Sequence, residues 1–156
     1  DGQYMLLEFP SDDVPAYTQD MVFEIMQRGI TPIVVHPERN KKILEEPTIL
    51  QGLIEQGCLV QITASSYVGT FGKEIEKMSK QFIEAGQCAC FASDAHDLPK
   101  RQYEYSAALK KLGKEFGEER VNEFKNNARA IVNGDNVQLN WRPLKKRRNI
   151  FRFFKM

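Results

Sequence analysis

The amino-acid sequence predicts an α/β chain, with repeated strand–helix units laid on a parallel sheet. Two observations predict it. Gly29, Gly57 and Gly86 stand 28 and 29 residues apart, and a short apolar run follows each one. Amphipathic stretches at helical spacing fill the intervals between those runs. A length of 156 residues suffices for one domain with a real core.

The elements follow in order. The run "QYMLLEF" predicts the first strand. Tyr17, Met21, Val22, Ile25 and Met26 then share a helical face, and Gly29 supplies a left-handed helix end at no steric cost. "TPIVVH" predicts the second strand, followed by a helix carrying Ile49, Leu50, Leu53 and Ile54 and closed by Gly57. "CLVQIT" predicts the third strand, and Ile75, Met78, Phe82 and Ala85 the helix closed by Gly86. "CACFAS" predicts the fourth strand. Each run is short, bounded and partly β-branched or aromatic, as strands covered on both faces are. After Asp97 the pattern is helical: Tyr105, Ala108, Leu109, Leu112 and Phe116 mark one helix, and Val121, Phe124, Ala128 and Ile131 another that ends near Gly134. No linker divides these units. Residues 1–135 read as one structural body and residues 136–156 as a tail.

Charge supports that division. The formal net charge is +1, but all 21 acids lie at or before Asp135. Fifteen bases against those 21 acids leave the body at −6, and seven bases with no acid give the tail +7. An acidic body of this kind is not expected to bind nucleic acid. No apolar run approaches the roughly 18–20 residues of a membrane span. Cys58, Cys88 and Cys90 lack metal-ligand spacing and read as reduced thiols in a cytoplasmic protein. Cysteine phosphatases need an Arg six residues after the nucleophile. Those positions hold Ala64, Asp94 and His96, which excludes that class.

The same period locates the chemistry. Glu8, His36, Ser65 and Asp94 are separated by 28, 29 and 29 residues, each at the C-terminal end of a predicted strand. Ligands of parallel α/β folds bind at that edge. His96 follows Asp94 by two residues and can share its side of an extended segment. Two imidazoles and two carboxylates suit a hard-to-borderline divalent cation such as Mn, Zn or Fe(II), which would acidify a bound water. Arg39 and Arg101 stand three residues after His36 and seven after Asp94. A guanidinium fork matches phosphate oxygens bidentately. The run "QITASSYVGTFG" offers Thr63, Ser65 and Ser66 to the same pocket. Glu38 is expected to pair with a neighbouring base rather than to back the site, and Cys88 and Cys90 to face one side of their strand as buried small hydrophobes.

Four ordered blocks, "LLEFP", "TPIVVHPERN", "QITASSYVGTFG" and "FASDAHD", resemble the polymerase-and-histidinol-phosphatase (PHP) superfamily. Within it, the chain is similar to the CpsB/CapC-type bacterial protein-tyrosine phosphatases over nearly its whole length. The resemblance implies part of a distorted α/β barrel, with four or so parallel strands, flanking helices and C-terminal helices. It implies a multinuclear metal centre, usually manganese, and hydrolysis of phosphotyrosine on the tyrosine kinases that govern capsule and exopolysaccharide synthesis. Carried onto matching positions, Glu8, His36, Asp94 and His96 are metal ligands, and Arg39 and Arg101 hold the phosphate.

The family's opening His-x-His pair and "DDG" are absent here, so the resemblance is to the C-terminal portion of such an enzyme. On that reading the isolated chain binds metal poorly, turns over weakly and self-associates. The tail "RPLKKRRNIFRFFKM" interleaves bases with aromatics and fits an anionic membrane surface at roughly 1 kcal/mol per base. It also fits an acidic patch on a partner protein, non-specific nucleic acid, or a solvated terminus. Two other functions keep the same residues: a PHP-type phosphoesterase acting on a small ester or nucleic-acid end, and a non-catalytic interaction module.

Overall fold

The computed structural model describes residues 2–95 and 103–144. Four strands, β1 (Tyr4–Leu7), β2 (Thr31–Val35), β3 (Leu59–Thr63) and β4 (Cys90–Ala92), form one parallel sheet in the order β1-β2-β3-β4. Leu6 stands opposite Ile33, Ile33 opposite Leu59, and Gln61 opposite Cys90. The connections carry α1 (Thr18–Gln27), α2 (Lys41–Glu45), α3 (Thr48–Gln56), α4 (Ala64–Val68) and α5 (Lys73–Glu84). After β4 come α6 (Tyr105–Phe116) and α7 (Glu118–Asn133). The repeated β-α units of the sequence reading are therefore present, and the spaced glycines end their helices at φ 77°, 110° and 71°.

Alternate strand residues serve two apolar layers, as the pleat requires. Val34, Val60, Ile62 and Phe91 pack under the helices with Leu50 and Phe82. Their neighbours Ile33 and Leu59 join a smaller cluster with Ala89 and Val137. Full burial of each large side chain contributes about 1.5–3 kcal/mol before the cost of ordering it. On α1 the buried residues are Thr18 and Val22, whereas Tyr17, expected on that face, is 64% exposed. Tyr17 precedes the first helical residue, so it lies off the stripe that faces the sheet.

The two sheet edges differ. At β4 the helix α7 closes in, and the Asn127 amide donates to the Ala89 carbonyl at 2.9 Å. Among the described residues no strand pairs with the outer edge of β1, where Leu6 is 63% exposed.

Past α7 the chain stays packed beyond residue 135, so the boundary at that residue separates charge rather than packing. Val137 is buried in the smaller cluster. The Gln87 amide donates to the Arg142 carbonyl at 2.9 Å, and the Arg142 N–H donates to the Ala85 carbonyl at 2.8 Å. Residues 135–144 thus form a strap across the turn that enters β4, at the opposite end of that strand from Asp94. Gly86 makes the crossing possible. Its φ is +71°, and an added Cβ would stand 2.3 Å from the Asn140 carbonyl oxygen.

Gly86→Ala is expected to destabilise the chain by about 1–3 kcal/mol in urea unfolding, with a change in emission from Trp141, the single tryptophan, as the strap lifts. A variant with wild-type stability and emission would contradict this account of the strap.

Candidate active site

Parallel strands end at a common rim, and the rim is where the polar residues collect. Glu8 directly follows β1, His36 directly follows β2, and Asp94 lies two residues past β4. The His36 N–H extends the ladder by donating to the Gln61 carbonyl at 2.8 Å. Immediately afterwards the chain turns sharply: His36 has φ 39° and ψ 45°, and Pro37–Arg39 form a 3₁₀ turn. Asp94 also has positive φ, at 47°. Glu8, His36, Arg39 and Asp94 border one cavity of about 380 Å³, with Phe9 and Asn40 in its wall.

Two contacts organise the cavity. His36 Nε2 lies 3.0 Å from Glu8 Oε1. Across the opening, Arg39 Nη2 donates to Asp94 Oδ2, joining residues 55 apart in sequence. The Arg39 guanidinium also sits over the Phe71 ring, 5.3 Å from its centroid, while its Nε is buried without a hydrogen-bond partner among the described residues. Burial, and after it Arg39, pushes the His36 pKa below its ordinary 6.5, with Glu8 and Asp94 pulling the other way. The ring is therefore neutral at pH 7, the form that binds a metal.

Intervening residues of "HPERN" anchor the segment. Glu38 has no exposure, and its carboxylate accepts from the Thr63 N–H at 3.0 Å. It is thus bound chiefly to backbone, rather than paired with a base as expected from sequence. Asn40 caps α2 by accepting from the Ile43 N–H at 2.9 Å, and its amide donates to the carbonyls of Pro10 at 2.7 Å and Asp13 at 2.9 Å. The sequence reading passed over Asn40. Its one visible signal is the N-cap position before the α2 residues "KKILE".

The other expected residues divide. His96 and Arg101 lie outside the described residues. Thr63, Ser65 and Ser66 do not border the cavity and are buried, because the chain enters α4 directly after β3. Cys88 and Cys90 are buried. Burial pushes the Cys90 thiol up to about 11 and the Cys58 thiol up to about 12, so neither is a thiolate nucleophile near neutral pH. Among the described residues, no three His, Cys, Asp or Glu side chains converge tightly enough to enclose an ion. The donors that do share the cavity, one imidazole and two carboxylates, fit a divalent metal by type.

A family model described as "Capsular polysaccharide synthesis, CpsB/CapC" matches residues 1–133. The chain belongs to the CpsB/CapC family. It is 37% identical over 154 residues to the tyrosine-protein phosphatase YwqE of Bacillus subtilis, covering 99% of this chain and 61% of that protein. It is 43% identical over 103 residues to the putative tyrosine-protein phosphatase CapC of Staphylococcus aureus, covering 66% and 40% respectively. A solved structure superposes with a TM-score of 0.90 at 36% identity, over 94% of this chain and 60% of that one. It comes from work on YwqE from Bacillus subtilis and CpsB from Streptococcus pneumoniae, described there as unique metal-dependent tyrosine phosphatases. The fold is therefore that of these CpsB/CapC phosphatases, and the chain spans about three-fifths of the length of YwqE.

Since folding holds His36 below 6.5, its neutral form contributes stability that is complete above that value and lost as pH falls through the folded pKa. An NMR titration of the ring is expected to give a midpoint below 6.5. Glu8→Gln, which removes a group that raises the pKa, should lower that midpoint further. A midpoint above 6.5, or an upward move in the variant, would contradict the geometry.

Proposed function

We propose that this chain carries the phosphate-holding face, and part of the metal-holding face, of a metal-dependent phosphotyrosine phosphatase. The observation that supports it most directly is the cavity shared by Glu8, His36, Arg39 and Asp94. Glu8, His36 and Asp94, with His96, would hold the metal, of which manganese is the ion we favour and zinc or iron the alternatives. A bound divalent ion supplies a Lewis acid and an acidified water at such a site.

The residues of the chain do the rest. Arg39, which borders the cavity, holds phosphoryl oxygens on one side, and Arg101 is assigned the same task. Both neutralise charge that grows as water attacks phosphorus and the P–O bond to the tyrosine ring breaks. The departing phenolate has a pKa near 10, so it needs less acid assistance than an alkyl oxygen. Asp94 keeps Arg39 in place through their ion pair. The Phe71 ring bounds the guanidinium on another side and limits where it can swing.

The substrate in this reading is a phosphotyrosine protein, specifically a bacterial tyrosine kinase of capsule or exopolysaccharide synthesis, dephosphorylated in the cytoplasm. Among the described residues no helix is long and apolar enough to cross a membrane. Residues 145–156 lie outside the described part, but the strap that leads to them is tied at the end of β4 opposite to Asp94. Peripheral membrane attachment is assigned to the basic-aromatic tail. Self-association is assigned to the outer edge of β1, where unpaired backbone groups and exposed Leu6 invite a second copy.

The test uses the protein at its full natural length. His36→Ala, Arg39→Ala and Arg101→Ala should each lower manganese-dependent hydrolysis of a phosphotyrosine peptide by about 10²-fold or more, in the range seen when one charge-stabilising donor is removed. Chelation should abolish it. Wild-type rates in these variants would place the reaction elsewhere. Faster hydrolysis of histidinol phosphate or of a nucleic-acid end would change the substrate class.

A further inference from the structure

A carboxyl group with no solvent exposure is costly unless partners compensate it. Glu38 is such a group, in a segment whose neighbours on both sides serve the cavity. One carboxylate oxygen accepts from the Thr63 N–H at 3.0 Å. The other has no hydrogen-bond partner among the described residues. Burial pushes the Glu38 pKa above the ordinary carboxylate value, with the surrounding hydrogen-bond donors and the Arg39 guanidinium pulling the other way.

We propose that Glu38 is a positioning residue: it pins the Pro37–Arg39 turn onto the junction of β3 and α4, and so fixes where the Arg39 guanidinium stands. This rests on Arg39 being a group that acts in the cavity. The turn is short. It is a single 3₁₀ turn, entered through His36 at φ 39°, which side chains other than glycine seldom adopt. Beyond its own two backbone bonds, from the Arg39 N–H to His36 and from the Asn40 N–H to Pro37, it is held by anchors to other segments, including the Lys41 N–H on the Ser11 carbonyl at 2.9 Å. His36 is tied by its N–H to Gln61, Glu38 by its carboxylate to Thr63, and Asn40 by its amide to Pro10 and Asp13.

Glu38 and Asn40 flank Arg39, and of the anchors only Glu38 is a residue of the turn itself. Without it, the turn is fixed at its ends alone. Arg39 would then leave its place between the Phe71 ring and Asp94, and its unpaired Nε would no longer face a fixed point. The carboxylate acts as an acceptor for a backbone donor, so an amide of the same shape can replace it. Loss of the side chain cannot be replaced in that way.

The test is the Arg39 Nε–H signal in a nitrogen-15 correlation spectrum of the 156-residue chain, identified by its disappearance in Arg39→Lys. Glu38→Ala should move that signal or broaden it away, and Glu38→Gln should keep it near the wild-type position. Thr63→Pro removes the donor at a residue whose φ of −71° suits proline, and it should reproduce the alanine effect even if Glu38→Ala fails to fold. Tyr67→Phe removes the hydroxyl bond to Glu115 on α6 and should leave the signal in place, separating positioning from general loss of stability. An unmoved signal in folded Glu38→Ala or in Thr63→Pro would overturn the proposal, as would equal damage from Glu38→Gln. Inorganic phosphate is added as a separate arm. If it moves no signal even in the wild type, the phosphatase reading suffers, while the position of Arg39 still decides the role of Glu38.

Discussion

Parallel register is the constraint on which this molecule depends. Four strands that run the same way must all end at the same edge, and the residues that follow them are brought together whatever their distance in sequence. Glu8, His36 and Asp94 meet around one cavity for that reason. The ladder carries on to the His36 N–H, and then the backbone leaves the sheet abruptly. Among the described residues, only His36 and Asp94 combine a side chain with positive φ. Such a conformation costs on the order of 1–3 kcal/mol and persists where surrounding structure over-determines it. Both strained positions carry cavity groups, and both are bound to another residue of the cavity.

The support for that strain lies behind the rim. Glu38 turns inward from the segment whose other residues border the cavity and accepts from the last residue of β3, while Asn40 holds carbonyls of the β1–α1 connection. Phe71, which bounds Arg39, sits on the connection between α4 and α5, and that connection is itself held. Thr70 Oγ1 donates to Glu104 at 2.7 Å, Lys111 Nζ donates to the Tyr67 carbonyl at 2.7 Å, and Lys111 also pairs with Glu76. Helices on one face of the sheet therefore reach the cavity through a short series of polar contacts rather than through the apolar core. Surface ion pairs contribute little alone. Here their effect is to fix a loop whose aromatic ring sets the limits of a guanidinium.

Much of this was legible in sequence because it depends on period. Equal spacing of glycines predicts equal spacing of strands, and equal strands predict a common rim, so Glu8, His36 and Asp94 could be placed together without any fold. Arg39 could be placed beside them but not paired: nothing local announces a contact with a residue 55 positions away. Ser65 satisfies the period, but it is buried in α4, which begins directly after β3, and it is not among the described residues that line the cavity. Glu38 was read by its charge, which suggested a base as partner, whereas its burial makes a backbone amide the partner. The strap through residues 135–144 was hidden by composition, because a polar segment beside a basic tail resembles more tail. Only the buried Gln87 and the close crossing at Gly86 show what it packs against.

The central claim is that one cavity at the rim holds the metal and the phosphate together. Manganese, titrated into the nitrogen-15-labelled chain, tests it most directly, since the paramagnetic ion broadens the amide signals nearest to it even when binding is weak. Selective broadening at Glu8, His36 and Asp94, with α7 and the strap unaffected, is the predicted result. Broadening centred elsewhere, or no selective broadening at the rim, would contradict the account.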